Sequence, residues 1–76
     1  MGNYKTKFLI LMKIEVTPIE KDQRYRVNGK EMYKDSNSNW VASQELTSKE
    51  YRAFYNYYQQ YIENNSEEHP KKVYNY

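Results

Sequence analysis

The chain has 76 residues, a mass of 9.3 kDa and a formal charge of +2, which means one small domain and too little positive charge to mark a nucleic-acid binder by itself. It has no cysteine, so a disulfide scaffold, a thiolate zinc site, an iron–sulfur cluster and a cysteine nucleophile are excluded together. The mean hydropathy of −1.21 would suit a disordered chain, but an aromatic fraction of 17% predicts a folded one, because disordered segments are poor in aromatics.

In chain order, residues 7–17 read as the first strand. Phe8, Ile10, Met12, Ile14 and Val16 alternate with Leu9, Leu11, Lys13 and Glu15, the period-two signal of a strand. The first set is expected to face the core. The second set begins apolar, so Leu9 and Leu11 need cover from another segment or from a second copy of the chain. Pro18 is expected to close the strand because it cannot donate to a ladder, and Lys21-Asp22-Gln23 then turns the chain.

Arg24–Val27 and Lys30–Lys34 flank Asn28-Gly29, the strongest two-residue hairpin signal, since a type I′ turn needs positive φ at both centres. That turn predicts the register. Tyr25, Val27 and Met32 share one face, and Arg24, Arg26, Glu31 and Tyr33 share the other. Arg26 is expected to pair with Glu31, and Arg24 to lie against the Tyr33 ring. Asp35–Asn39 is a polar turn, and Trp40–Ser43 a short further strand whose Trp40 plugs the edge of the core.

A helix follows. Leu46, Thr47, Glu50 and Tyr51 stand at N′, N-cap, N3 and N4, which supplies a capping box and a hydrophobic staple. Tyr51, Phe54, Tyr55, Tyr58 and Ile62 form an apolar stripe expected to face the sheet. Tyr57 and Tyr61 extend the stripe sideways, where exposed tyrosines would serve as partner anchors. The helix should fray near Asn64-Asn65. Residues 1–63 thus read as one sheet-plus-helix domain and residues 64–76 as a polar, flexible tail.

The expected fold class is α+β: an antiparallel meander of three or four strands with one C-terminal amphipathic helix packed on one face. One helix covers only one face of a sheet. The other face, carrying Leu9, Leu11, Arg24, Arg26, Glu31, Tyr33 and Val41, must meet water or a partner.

Chemistry is not expected. The single histidine, His69, falls in the polar tail beside Pro70 and reads as a solvated residue with no nucleophile to activate. Glu67-Glu68 lies in the same segment. No calcium-loop ligand ladder is present, and two glycines are too few for a phosphate-cradling loop. No catalytic residue, metal ligand or cofactor site is therefore assigned. The apolar run Phe8–Met12 is shorter than a signal-peptide core of about 7–15 residues or a membrane span of about 20, so a cytoplasmic protein without membrane contact is expected.

Two resemblances bear on function. Asn, Lys, Tyr and Ile make up 31 of the 76 residues, a usage common where codons are AT-rich. Together with small size and dense tyrosine content, it resembles the profile of small phage and mobile-element inhibitors, the anti-CRISPR type among them. That resemblance implies a non-enzymatic inhibitor that binds a larger host protein or ribonucleoprotein, with Arg24, Arg26 and Tyr33, then Tyr57 and Tyr61, as contact residues. The meander-plus-helix layout over residues 24–63 is similar to the arm-binding domains of tyrosine integrases and to plant ethylene-response-type DNA-binding domains, which implies the alternative of a sheet that binds nucleic acid directly. Glu31 interrupts that basic face, and the helix is not basic. A homodimer joined through Leu9 and Leu11 is compatible with either function.

Overall fold

In the computed structural model, which describes residues Met12–Tyr76, five strands form one antiparallel sheet crossed by one helix. The strands are β1 Lys13–Glu20, β2 Arg24–Val27, β3 Lys30–Lys34, β4 Trp40–Ala42 and β5 Lys72–Asn75, in the order β4-β3-β2-β1-β5. The α+β class and the meander hold, with one strand more than expected. Leu9 and Leu11, and the first half of the expected strand, lie outside the described residues.

The hairpin forms as the Asn-Gly pair requires. Asn28 and Gly29 have φ of 51° and 83°, and Val27 pairs with Lys30, Arg26 with Glu31, Tyr25 with Met32 and Arg24 with Tyr33. The turn also ties back to β1: the Asn28 amide donates to the Glu15 carbonyl at 2.8 Å, and the Glu15 amide donates to Asn28 Oδ1 at 2.7 Å.

Pro18 does not end β1, which runs on to Glu20 with its register shifted between Pro18 and Glu20. The reason is parity. Glu15 directs its amide and carbonyl toward the β2 side, so the nitrogen of Pro18, three residues on, faces the opposite edge. There β5 reaches only as far as Val16, and no ladder bond is lost.

The helix, α1 Ser48–Tyr57, continues as a π-helical turn over Tyr58–Ile62. Its start is built as the sequence predicts. Glu50 donates its amide to Thr47 Oγ1 at 3.2 Å, and its carboxylate accepts the Thr47 amide at 2.8 Å. The buried side is rotated from the expected stripe, however. Ala53, Phe54 and Tyr57 face the sheet, while Tyr51 and Tyr55 are 50% and 58% exposed. The small Ala53 lets the helix approach the sheet closely, and the wide π turn sets Ile62 under Tyr57, five residues on. Leu46 is buried, but the half-exposed Tyr51 leaves the expected staple loose.

The core is Ile14 and Val16 of β1, Tyr25 and Val27 of β2, Met32 of β3, Leu46, and the helix residues Ala53, Phe54, Tyr57 and Ile62. Trp40 packs against it, its ring centroid 5.7 Å from Tyr25 and 5.4 Å from Phe54.

The expected tail is part of the fold. β5 pairs with β1 through Lys13–Asn75, Ile14–Tyr74, Glu15–Val73 and Val16–Lys72. Tyr74 and Tyr76 pack against the core beside the helix, and Arg52 lies 5.4 Å from the Tyr76 ring. The reason is the uncovered edge of β1. Val73-Tyr74 suits a half-buried ladder, and pairing there satisfies backbone groups that β1 would otherwise present unpaired. Among the described residues, no helix is long and apolar enough to cross a membrane.

Candidate functional site

The register separates the sheet's two faces. Side chains paired with Ile14, Val16, Tyr25 and Met32 lie under the helix, and their neighbours project from the other side. Lys13, Glu15 and Thr17 of β1, Arg24 and Arg26 of β2, Glu31 and Tyr33 of β3, Val41 of β4 and Val73 of β5 therefore share the face without a helix. Arg24, Arg26 and Tyr33 are thus brought together as the hairpin predicts. Arg24 and Arg26 are exposed and Tyr33 is half-buried.

The charge pairing on this face differs from the expected one. Arg24 Nη1 bonds diagonally to Glu31 Oε2 at 3.0 Å, which draws it from the Tyr33 ring. Arg26, directly opposite Glu31, has no carboxylate within 4.0 Å among the described residues. Lys71 Nζ meets Glu15 Oε2 at 3.0 Å. Cations and carboxylates alternate across the face, so it carries no broad positive field. Arg26, beside the Tyr33 column, and Lys13 are exposed cations of this face with no carboxylate within 4.0 Å among the described residues.

Tyr57 and Tyr61, expected as exposed anchors, belong elsewhere. Tyr57 is 0% exposed; its hydroxyl donates to the Pro70 carbonyl at 2.7 Å. Burial, and then the neighbouring Tyr25, Tyr61 and Tyr74 hydroxyls, push its pKa well up, so the phenol keeps the proton it donates. Tyr61 is half-buried, its ring 4.7 Å from Tyr57. Both hold the last segment of the chain to the core.

His69 is the residue most misjudged from sequence. Its side chain is 2% exposed, stacked on Tyr25 and edge-on to Tyr57. Nε2 lies 3.0 Å from the Ser66 carbonyl, an obligate acceptor, and Nδ1 lies 2.5 Å from the Tyr25 hydroxyl. The Tyr25 hydroxyl accepts the Asp22 amide at 2.8 Å. The bonds are mutually consistent when Nε2 carries the proton and Tyr25 donates to Nδ1. Burial first, and then the Asp22 charge, raise the Tyr25 pKa, against the lowering pull of the Asp22 amide. The chain Asp22–Tyr25–His69–Ser66 joins the β1–β2 turn to the start of the last segment. Both imidazole nitrogens are engaged within it, Nδ1 by the Tyr25 hydroxyl and Nε2 by the Ser66 carbonyl, so the ring ties the two segments together.

A second open surface lies where α1 passes the β3–β4 edge. Met32, Trp40, Tyr51, Phe54, Tyr55 and Tyr58 line a groove of about 410 Å³. Lys34 Nζ stands 5.4 Å from the centre of the Trp40 ring at its rim. Helical spacing places Tyr51, Tyr55 and Tyr58 in the core, and Tyr58 does pack against it, but Tyr51 and Tyr55 do not, because spacing alone cannot say where the buried arc ends. Ala53 and Glu50 carry the missing signal. A small residue marks the close approach, and an N3 carboxylate facing Lys30 marks the buried side.

Glu50 is the one buried charged residue among those described. Its Oε1 lies 2.9 Å from Lys30 Nζ and accepts the Thr47 amide. Burial raises its pKa, but the Thr47 amide and the Lys30 ammonium together outweigh that and hold it below the ordinary carboxylate value. Among the described residues, no cluster of three His, Asp or Glu side chains could hold a metal ion. Comparison with protein-family models, curated proteins and solved structures gives no match.

Proposed function

We propose that the protein is a non-enzymatic binding module that docks on a larger protein or ribonucleoprotein through the sheet face opposite the helix. The observation that carries this reading is that face itself. Among the described residues, five strands present it, the helix and the last segment pack on the other side or at the edge, and it exposes an arginine without an acidic partner next to a half-buried tyrosine. Arginine and tyrosine on a rigid sheet are the residue types that anchor interfaces. A module of this kind suits a small phage or mobile-element inhibitor of a nucleic-acid-processing enzyme, in keeping with the anti-CRISPR-like profile of the sequence.

The alternative, direct binding of DNA or RNA to the same face, is the weaker reading. A sheet that tracks a phosphate backbone needs several free cations. Here Arg24 is engaged by Glu31 and Lys71 by Glu15, which leaves Arg26 and the distant Lys13 without a carboxylate partner among the described residues. Electrophoretic mobility shift with random duplex and single-stranded DNA and RNA, at low and moderate salt, separates the two. The docking reading expects no shift with naked nucleic acid. A shift that weakens steeply with salt and vanishes in Arg24→Ala/Arg26→Ala would establish the alternative.

A further inference from the structure

We propose that the aromatic groove between α1 and the β3–β4 edge is a second docking site, and that it takes an acidic peptide segment of a partner protein through one or two bulky apolar side chains. The groove is a different surface from the open sheet face, so this inference stands whatever binds there. Its shape points to a chain segment. Tyr51, Tyr55 and Tyr58 occupy positions i, i+4 and i+7, a wall running about 10 Å along the helix. Met32, Phe54 and Trp40 line the rest, and the volume of about 410 Å³ lies within the ligand-pocket range of roughly 300–1,000 Å³. Tyr51 and Tyr55 hold half or more of their surface in solvent, although residues on the same helix are fully buried. Large rings left open around a concavity are characteristic of contact sites.

The choice of partner rests on charge complementarity. None of the six lining residues is charged. The rim carries Lys34 over Trp40, and among the described residues no carboxylate lies within 4.0 Å of it. A ligand with an apolar anchor flanked by Asp or Glu would fill the trough and meet the Lys34 ammonium, which has no carboxylate partner among the described residues. A basic ligand would meet repulsion. Nucleic acid would find rings to stack on but, among the described residues, only Lys34 placed over a lining ring, where a backbone track needs several cations.

The test is selection of a random 12-residue peptide library on the immobilised full-length chain, with affinities of the recovered peptides read from the fluorescence of Trp40, the chain's only tryptophan. We expect recovered peptides to carry Phe or Leu flanked by Asp or Glu, the library being free of tryptophan so that Trp40 alone reports. Tyr55→Ser, at an exposed position, should abolish their binding. Lys34→Glu should weaken it about fivefold to tenfold and shift a fresh selection toward basic flanks. That reversal is a readout no merely structural role of Lys34 would produce. Failure to recover any peptide, recovery of basic peptides by the unaltered chain, indifference to Tyr55→Ser, or tighter binding of an oligothymidylate than of the peptides would each overturn the proposal.

Discussion

Tyr55 and Tyr57 stand two positions apart on one helix in opposite surroundings. Tyr57 is wholly enclosed and donates to the Pro70 carbonyl, while Tyr55 is more than half in solvent. Tyr57→Ala should therefore cost about 3–5 kcal/mol, as deletion of a buried ring does. Tyr55→Ser should cost no more than about 1 kcal/mol, chiefly helix propensity. Urea denaturation of the two variants checks the contrast, and equal losses would contradict the observed rotation of the helix. Ionisation adds a second check. The Tyr57 pKa is raised, and that of Tyr74 is pushed up to about 12 by burial and by the Tyr61 and Tyr76 hydroxyls. Raised folded values mean stability that is complete below the unfolded phenol value of about 10 and is lost as pH climbs through the folded values. A base titration followed at the phenolate absorbance should show the last tyrosines ionising together with unfolding. Glu50 acts at the other end of the scale. Its folded pKa is depressed, so its contribution is present above the ordinary value of 4.5 and is lost as pH falls through the folded value. Glu50→Gln should flatten that acid limb in denaturation curves between about pH 5 and 2.

At the scale of elements, the last segment decides how much of the protein holds together. β5 covers the edge of β1, and His69 and Pro70 lock the approach to it onto Tyr25 and Tyr57. His69→Ala leaves the Tyr25 hydroxyl without its acceptor and opens a void, a loss of about 1–3 kcal/mol. Hydrogen exchange should show the added opening concentrated in the amides of residues 72–76. Uniform loss of protection across the sheet would contradict a latch local to that strand. What the sequence revealed at this scale followed how local the deciding interaction is. The Asn28-Gly29 hairpin and the Thr47–Glu50 capping box depend on residues within four positions of each other, and both were legible. β5 depends on β1, more than fifty residues away, and two tyrosines at alternate positions are too short a pattern to announce a strand. His69 was illegible for the same reason: its partners Asp22 and Tyr25 come from the opposite end of the described chain. The helix was legible in existence and start, but not in the arc it buries. That arc depends on where the sheet can be approached, which Ala53 and the π turn decide.

At the scale of the whole molecule, the layered arrangement leaves two surfaces with different characters. The sheet face mixes charges of both signs around Arg26 and Tyr33, and the groove is an apolar trough with Lys34 beside its Trp40 wall. Of the contact residues anticipated from sequence, Arg24, Arg26 and Tyr33 do share one surface, although Arg24 is engaged by Glu31. Tyr57 and Tyr61 instead serve the core, a correction that follows from the turn of the helix. Substitutions on the open face should leave stability within about 0.5 kcal/mol, so their effects on binding can be read directly. The most direct measurement is quantitative co-purification from a nuclease-treated bacterial extract, comparing the unaltered chain with Arg26→Glu/Tyr33→Ala. Docking through this face means that a larger protein is retained by the unaltered chain at stoichiometric level, insensitive to nuclease, and is lost from the double variant although it remains folded. Equal retention by the double variant, or loss of all retained material on nuclease treatment, would contradict it.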